Sequence, residues 1–175
     1  VISASHNDFL DNGIKIFNES GEKISREIEK RIENYLSSNL VPVETSQIGK
    51  AYRFDESGPR YIEFCKSTVP SDISFSSLRI VIDCANGACY KVSPKIFEEL
   101  GAEVITIGNL PDGYNINQEC GSTHPQIIKK AVIKHRADFG ISLDGDGDRV
   151  IIVDEKGTIL DGDDLLYILA FSNPN

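Results

Sequence analysis

The chain has 175 residues, 40% apolar and 26% charged, which is ordinary globular usage and excludes disordered, collagenous and coiled-coil classes. Eighteen Lys plus Arg against 27 Asp plus Glu give a net charge of −9. No basic run alternates with aromatics, so nucleic acid is not an expected partner. The longest apolar stretch, Leu165 to Phe171, falls well short of the roughly 20 residues a membrane helix needs, and no basic n-region opens the chain, so no membrane association is expected.

Val1 to Ser5 reads as a strand end entering a loop. Asn12-Gly13 signals a turn into the apolar run Ile14 to Phe17. From about Glu22 to Ser38, Ile24, Ile28, Ile32 and Leu36 recur every four residues among charged ones, predicting an amphipathic helix. Residues 39–57 lose that period and contain Pro42 and Gly49, which predicts a linker or exposed hairpin.

The pattern then changes. Tyr61, Ile62, Phe64 and Cys65 suggest a short helix; Arg79 to Asp83 is a β-branched strand run; a helix is expected within Gly87 to Leu100, stopped by Gly101. Ala102 to Ile107 reads as a strand. Pro125 to His135 reads as a helix burying Ile127, Ile128, Ala131 and Val132. Phe139 to Leu143 and Val150 to Val153 are two more strands around a tight acidic loop. Alternating strands and helices predict an α/β fold: a three-layer α/β/α arrangement on a mostly parallel, mixed sheet, with part of a second similar domain. Ligands of such sheets gather at the carboxyl ends of strands. Both unusual motifs, Ser3 to Asn7 and Asp144 to Arg149, fall there.

Asp144-Gly-Asp-Gly-Asp-Arg149 sets three carboxylates at alternate positions. Packed so closely they repel one another unless a cation sits among them, and the intervening glycines let the backbone fold round it. An all-oxygen set of this kind suits Mg²⁺ and leaves octahedral positions open for a phosphate oxygen and water. A solvated acidic turn is the plain alternative. A calcium EF-hand is the other: Asp144, Asp146, Asp148 and Glu155 match its first, third, fifth and twelfth positions, but Arg149 occupies the sixth, where that loop needs glycine, and strands flank the segment. Arg149 either braces a phosphate or carboxylate, or is a lone surface arginine.

Ser5 followed by His6 suggests a nucleophile and its base. Adjacent side chains generally point apart, however, and a base must reach its hydroxyl within about 3 Å, so a hydrolase triad is not expected. If Ser5 instead holds a phosphoryl group, a cation at the acidic loop offsets its charge of roughly −2, and His6, Asn7 and Lys15 are available for the transfer. Standing alone, the loop would equally be an ordinary turn. Cys65, Cys84, Cys89 and Cys120 lack C-x-x-C spacing and read as reduced, mostly buried thiols of a cytoplasmic protein. Cys120 with His124, and Tyr114 with Asn115, read as structural loop residues. The absence of methionine and the apolar start suggest a piece of a longer polypeptide.

Taken together, Ser3-Ala-Ser-His-Asn7, Asp11-Asn-Gly-Ile-Lys15 and Asp144-Gly-Asp-Gly-Asp-Arg149 resemble the α-D-phosphohexomutase superfamily. Asn115-Ile-Asn117, Cys120-Gly-Ser-Thr-His-Pro125, Val153-Asp-Glu-Lys-Gly157 and Asp161-Gly-Asp-Asp164 are most similar to the bacterial phosphoglucosamine mutases. The resemblance implies that Ser5 is the phosphoserine and a metal ligand, that Asp144, Asp146 and Asp148 are the other ligands of Mg²⁺, that Lys15 does acid/base or charge-stabilising work, and that His6 and Arg149 line the same centre. It implies an isomerase interconverting glucosamine 6-phosphate and glucosamine 1-phosphate through a sugar bisphosphate, on the route to UDP-N-acetylglucosamine and peptidoglycan precursors. Partners would be a phosphosugar substrate and an activating bisphosphate sugar, with a homodimer in the full-length form.

The same resemblance divides the chain into the end of a phosphoserine-bearing first domain plus linker (1–57), a second α/β domain with the metal loop (58–158) and the start of a third (159–175), an incomplete catalytic unit. A phosphomannomutase or phosphoglucomutase, or a noncatalytic divalent-metal-binding module, are the alternatives. One residue departs from the family pattern: Asp8 stands where proline is usual, which removes a rigid φ and adds charge beside Ser5.

Overall fold

A computed structural model describes residues 1–39 and 41–172, so Leu40 of the expected linker and the last three residues of the expected third domain lie outside the described residues. The backbone divides into two compact units, Val1–Ile2 with Ile14–Asp55, and Ser3–Gly13 with Glu56–Asn175. The serine loop groups with the acidic loop rather than with the residues that follow it.

In the first unit, Lys15 N–H donates to Val1 O at 2.7 Å, and an isolated bridge joins Phe17 to Lys23. The expected helix forms as α1 (Arg26–Leu36), later than the apolar period suggested. Ser25 starts it, its hydroxyl accepting from Ile28 N at 3.4 Å, which satisfies one of the helix's orphan donors. Ile24 stays outside the helix. No residue of α1 is buried; Ile32 and Leu36 instead line a groove with Ile14, Ile16 and Ile24.

The second unit carries the sheet. The strand leading into the serine loop, β1 (Ile2–Ser3), and the short β2 (Gly13–Ile14) form a separate two-stranded ribbon. Helix α2 (Ser57–Ser67) precedes β3 (Arg79–Asp83), α3 (Val92–Glu99), β4 (Glu103–Ile107), α4 (Pro125–His135), β5 (Phe139–Leu143), β6 (Val150–Asp154), β7 (Ile159–Leu160) and α5 (Gly162–Ser172). The sheet order is β4-β3-β5-β6-β7. β3 runs parallel to both β4 and β5, while β6 and β7 are antiparallel additions at one edge. The two-residue β7 was not anticipated from sequence; so short a run carries no period.

Alternation along β3 sends Val81 to one face and Ile80 and Ile82 to the other. Val81 packs with Ile128 and Val132 of α4, Ala137 and Val153. Ile80, Ile82, Cys84 and Ile141 pack with Phe75, Tyr90 and Phe97 on the opposite side. These are the three layers. Gly140 lets α4 approach β5, since a Cβ there would meet Ile128 at 2.8 Å as well as Val132. Of the four positions expected on the inner face of α4, Ile128 and Val132 are fully buried, whereas Ile127 sits at its rim, 37% exposed.

Candidate metal and phosphoryl site

At the carboxyl edge of this sheet a buried carboxylate ties three chain segments together. Asp83, the last residue of β3, accepts from Ala85 N at 3.0 Å, Gly121 N at 2.7 Å and Ser142 Oγ at 3.4 Å. Burial pushes its carboxyl above the ordinary range, and those hydrogen bonds oppose the rise. Gly108 closes against it at φ 55°, leaving 2.6 Å between Asp83 Oδ1 and any Cβ placed there. Asp83 was not singled out from sequence, because a strand-terminal aspartate in a β-branched run gives no signal of what surrounds it.

The acidic loop joins β5 to β6. Asp144 is fully buried; its Oδ1 accepts from Gly147 N and Arg149 N, each at 3.1 Å, so the loop folds back on its first carboxylate. Its Oδ2 is buried with no hydrogen-bond partner. Burial raises the Asp144 carboxyl; the backbone bond from Arg149 opposes this, and the neighbouring Asp148 and Asp146 carboxylates add to it. Asp144, Asp146 and Asp148 each offer an oxygen, and all three lie within 4.8 Å of one another. An orphaned buried carboxylate oxygen facing two more carboxylates fits a hard cation, since such a group is costly without one. The flanking strands β5 and β6, in place of two helices, remove the EF-hand alternative.

The serine loop meets this centre directly. Ser3 Oγ donates to Asp146 Oδ2 at 2.8 Å, across 143 residues of sequence, and accepts from Ser5 N at 2.9 Å. Ser3 is a site residue that sequence reading passed over, although it stands in the same motif. Gly145, between two of the aspartates, packs against Ser5 O, with Asn117 Nδ2 and Ile116 Cδ1 each 2.8 Å from where a Cβ would lie. On its other side Gly145 O accepts from Ala88 N at 2.8 Å. A Cβ on Gly87 would collide with that carbonyl.

Ser5 adopts a left-handed backbone, φ 51°. This breaks the usual divergence of adjacent side chains: Ser5 Oγ lies 3.4 Å from His6 Nδ1, contrary to the sequence expectation that the two point apart. The separation is still longer than a working nucleophile–base bond. Asp8 caps the turn that follows the serine loop. Its φ of −74° is one a proline would adopt, and its carboxylate accepts from Leu10 N at 2.9 Å, capping a short 3₁₀ turn over Phe9–Asp11.

Among the other candidates, Arg149 is exposed and is fixed through its backbone N–H to Asp144. Lys15 belongs to the first unit. All four cysteines are free. Cys84 and Cys120 are buried, which pushes their thiols up to about 12 and about 11, so neither is a nucleophile near neutral pH. Cys120 Sγ lies 3.6 Å from Asn86 Nδ2, and His124 Nδ1 lies 3.2 Å from Cys120 O, so the two make no thiol–imidazole pair.

A three-layer α/β/α unit whose strand ends gather a serine loop and an aspartate triplet is an α/β protein with a candidate divalent-cation centre. The chain belongs to the phosphoglucomutase/phosphomannomutase family: the model of that family's α/β/α domain II matches residues 59–157, and that of domain I matches residues 1–40. It is 56% identical over 170 residues to a phosphoglucosamine mutase of Marinomonas sp. (strain MWYL1), covering 97% of this chain and 38% of that protein. It is 55% identical to the phosphoglucosamine mutase of Legionella pneumophila (strain Paris), covering 97% of this chain and 37% of that one. The chain therefore spans under two-fifths of these relatives. Among solved structures, a putative phosphomannomutase from Thermus thermophilus superposes with a TM-score of 0.74 at 25% identity, over 98% of this chain and 39% of that one. A phosphoglucomutase/phosphomannomutase family protein from Burkholderia thailandensis gives 0.68 at 24% identity, over 98% and 36%, a likeness of fold. No described helix is long and apolar enough to cross a membrane.

Proposed function

We propose that this chain is the phosphoryl-transfer part of a phosphoglucosamine mutase, cytoplasmic and acting on hexosamine phosphates, with Ser5 as the phosphoserine and Mg²⁺ as the ion. The observation that carries the reading is the hydrogen bond from Ser3 to Asp146, which sets a serine loop and an aspartate triplet side by side. The domain assignment follows the same reading: residues 1–57 end a first domain, 58–158 form a second and 159–175 begin a third. An activating bisphosphate sugar and a homodimer belong to the full-length form.

Asp144, Asp146 and Asp148, with an oxygen of the Ser5 phosphate, would hold the ion, which when bound supplies charge neutralisation at the transferred group. The chain's own residues do the rest. The P–O bond to Ser5 Oγ breaks as one forms to a sugar hydroxyl, whose proton leaves to a base. In the return step the bisphosphate gives its other phosphoryl to Ser5. Such a transfer asks for positioning and neutralisation more than for a strong base. His6 Nδ1, 3.4 Å from Ser5 Oγ, would close to hydrogen-bond reach when substrate binds and hand it a proton as the phosphoryl leaves. Lys15 and Arg149 are proposed to stabilise phosphate charge.

The test is intact-mass analysis with a coupled mutase assay on a polypeptide of the relatives' length that contains this chain. One phosphoryl group on Ser5, absent from Ser5→Ala together with turnover, is expected. A Ser5→Ala protein that keeps its turnover refutes the assignment. Comparing glucosamine, mannose and glucose phosphates in the same assay separates the glucosamine reading from a phosphomannomutase or phosphoglucomutase. The 175-residue chain alone is expected to bind Mg²⁺ weakly and turn over little.

A further inference from the structure

Asn117 is 5% exposed and sits in the left-handed region at φ 57°, a conformation asparagine tolerates better than most residues. Its backbone N–H donates to Ala85 O at 2.8 Å, and Ala85 N in turn donates to Asp83 at the end of β3, so the residue is fixed to the sheet. Its side chain reaches the other way. Nδ2 donates to Ser5 O at 2.8 Å and to Asn7 O at 2.7 Å, spending both amide protons on one loop. Its Oδ1 is buried with no hydrogen-bond partner, so rotating the amide would set an oxygen against two carbonyl oxygens. A hydroxyl could bridge only one of the two carbonyls, and a carboxylate would repel both.

Two further observations place this amide in the path between the loops. The position a Cβ of Gly145 would occupy is 2.8 Å from Asn117 Nδ2, so the amide lies against the backbone between two of the triplet's aspartates. Phe9 and Tyr114, one from each segment, meet edge to face with ring centroids 5.2 Å apart. The serine loop is thus held by the 114–117 segment as well as by Ser3.

We infer that Asn117 is the positioning residue that holds the Ser5 backbone against the aspartate loop, so that the transferred phosphoryl group and the cation site share one register. The catalytic arm of this inference rests on the proposed phosphoryl transfer; the structural arm does not. A misplacement of about 1 Å can cost 10²-fold in rate, and the contacts of Asn117 are to the loop bearing the transferred group, so the loss belongs in kcat more than in KM.

The test uses Asn117→Asp, which keeps the volume but loses both donors, and Asn117→Ala, in the polypeptide of the relatives' length. Amide hydrogen exchange is read at Ser5 and Asn7 and across β3 and β5, together with kcat and KM. Expected are an exchange protection at least tenfold lower in the loop, parental protection in the strands, and a kcat about 10²-fold lower with KM within twofold. Loop protection within twofold of the parent, parental kcat, or a loss shared equally by β3 and β5 each overturns the inference. If the parent itself shows no mutase turnover, the phosphoryl-transfer reading fails, and the exchange measurement alone decides the role of Asn117.

Discussion

Asp144→Asn should weaken divalent-cation binding at least about 10²-fold while raising the melting temperature of the cation-free chain. The two effects have opposite signs because the carboxylate is costly without a cation. Asp144 is fully buried, its Oδ2 has no hydrogen-bond partner, and Asp146 and Asp148 repel it. An asparagine at this position keeps an oxygen to accept from Gly147 N and Arg149 N, the two bonds that shape the loop. It removes the buried charge and its repulsion by Asp146 and Asp148, and sets in place of Oδ2 an amide N–H pair from which those carboxylates can accept, a change worth about 1–3 kcal/mol. The same removal takes a charged ligand from the triplet, and even residues one step removed from a metal typically cost 10–100-fold in affinity. Thermal melts with and without Mg²⁺ check both halves. A parent stabilised by Mg²⁺ beside a variant stabilised without it is the expected pair. A variant that melts below the parent in the absence of cations contradicts the view that the triplet is strained.

Gly145→Ala should separate the two loops and lower turnover of the full-length polypeptide about 10²-fold, with a stability loss of about 1–3 kcal/mol. Its Cβ would meet Ser5 O, Asn117 Nδ2 and Ile116 Cδ1 together, and two of these belong to the clasp that sets the serine loop. Ser5 O is backbone and Asn117 Nδ2 is held by two hydrogen bonds, so the crowding is relieved only by moving the loop. Gly13→Ala is the control, since no atom stands within 4 Å of a Cβ there. Equal turnover in the two variants would show that close approach at Gly145 does not set the geometry.

The parts of this protein most legible in sequence are those governed by a single period. Arg79–Asp83, Phe139–Leu143 and the helix from Pro125 to His135 were read at their observed bounds, because β-branched runs and a proline at a helix start are local signals. α1 begins later than its apolar period because Ser25 caps it, so a local hydrogen bond overrides the pattern. In the site, the aspartate triplet was visible because three carboxylates at alternate positions repel one another, a local signal of a cation site. Its meeting with the serine loop came from resemblance, not from spacing: nothing in residues 3–7 states which loop lies beside them. Ser3 and Asp83 were missed for the same reason, as both act through partners distant in sequence. Asn117 stood in a quoted motif, yet its role depends on two carbonyls about 110 residues away in the chain.

The claim on which the account rests is that the serine loop and the aspartate triplet share one ion. Mn²⁺ added in small amounts to the labelled chain tests it through paramagnetic broadening of backbone amides. Resonances of Ser3 to His6 should vanish together with those of Asp144 to Asp148, and both sets should survive in Asp144→Asn. Serine-loop resonances that stay sharp while the aspartate loop broadens would contradict it.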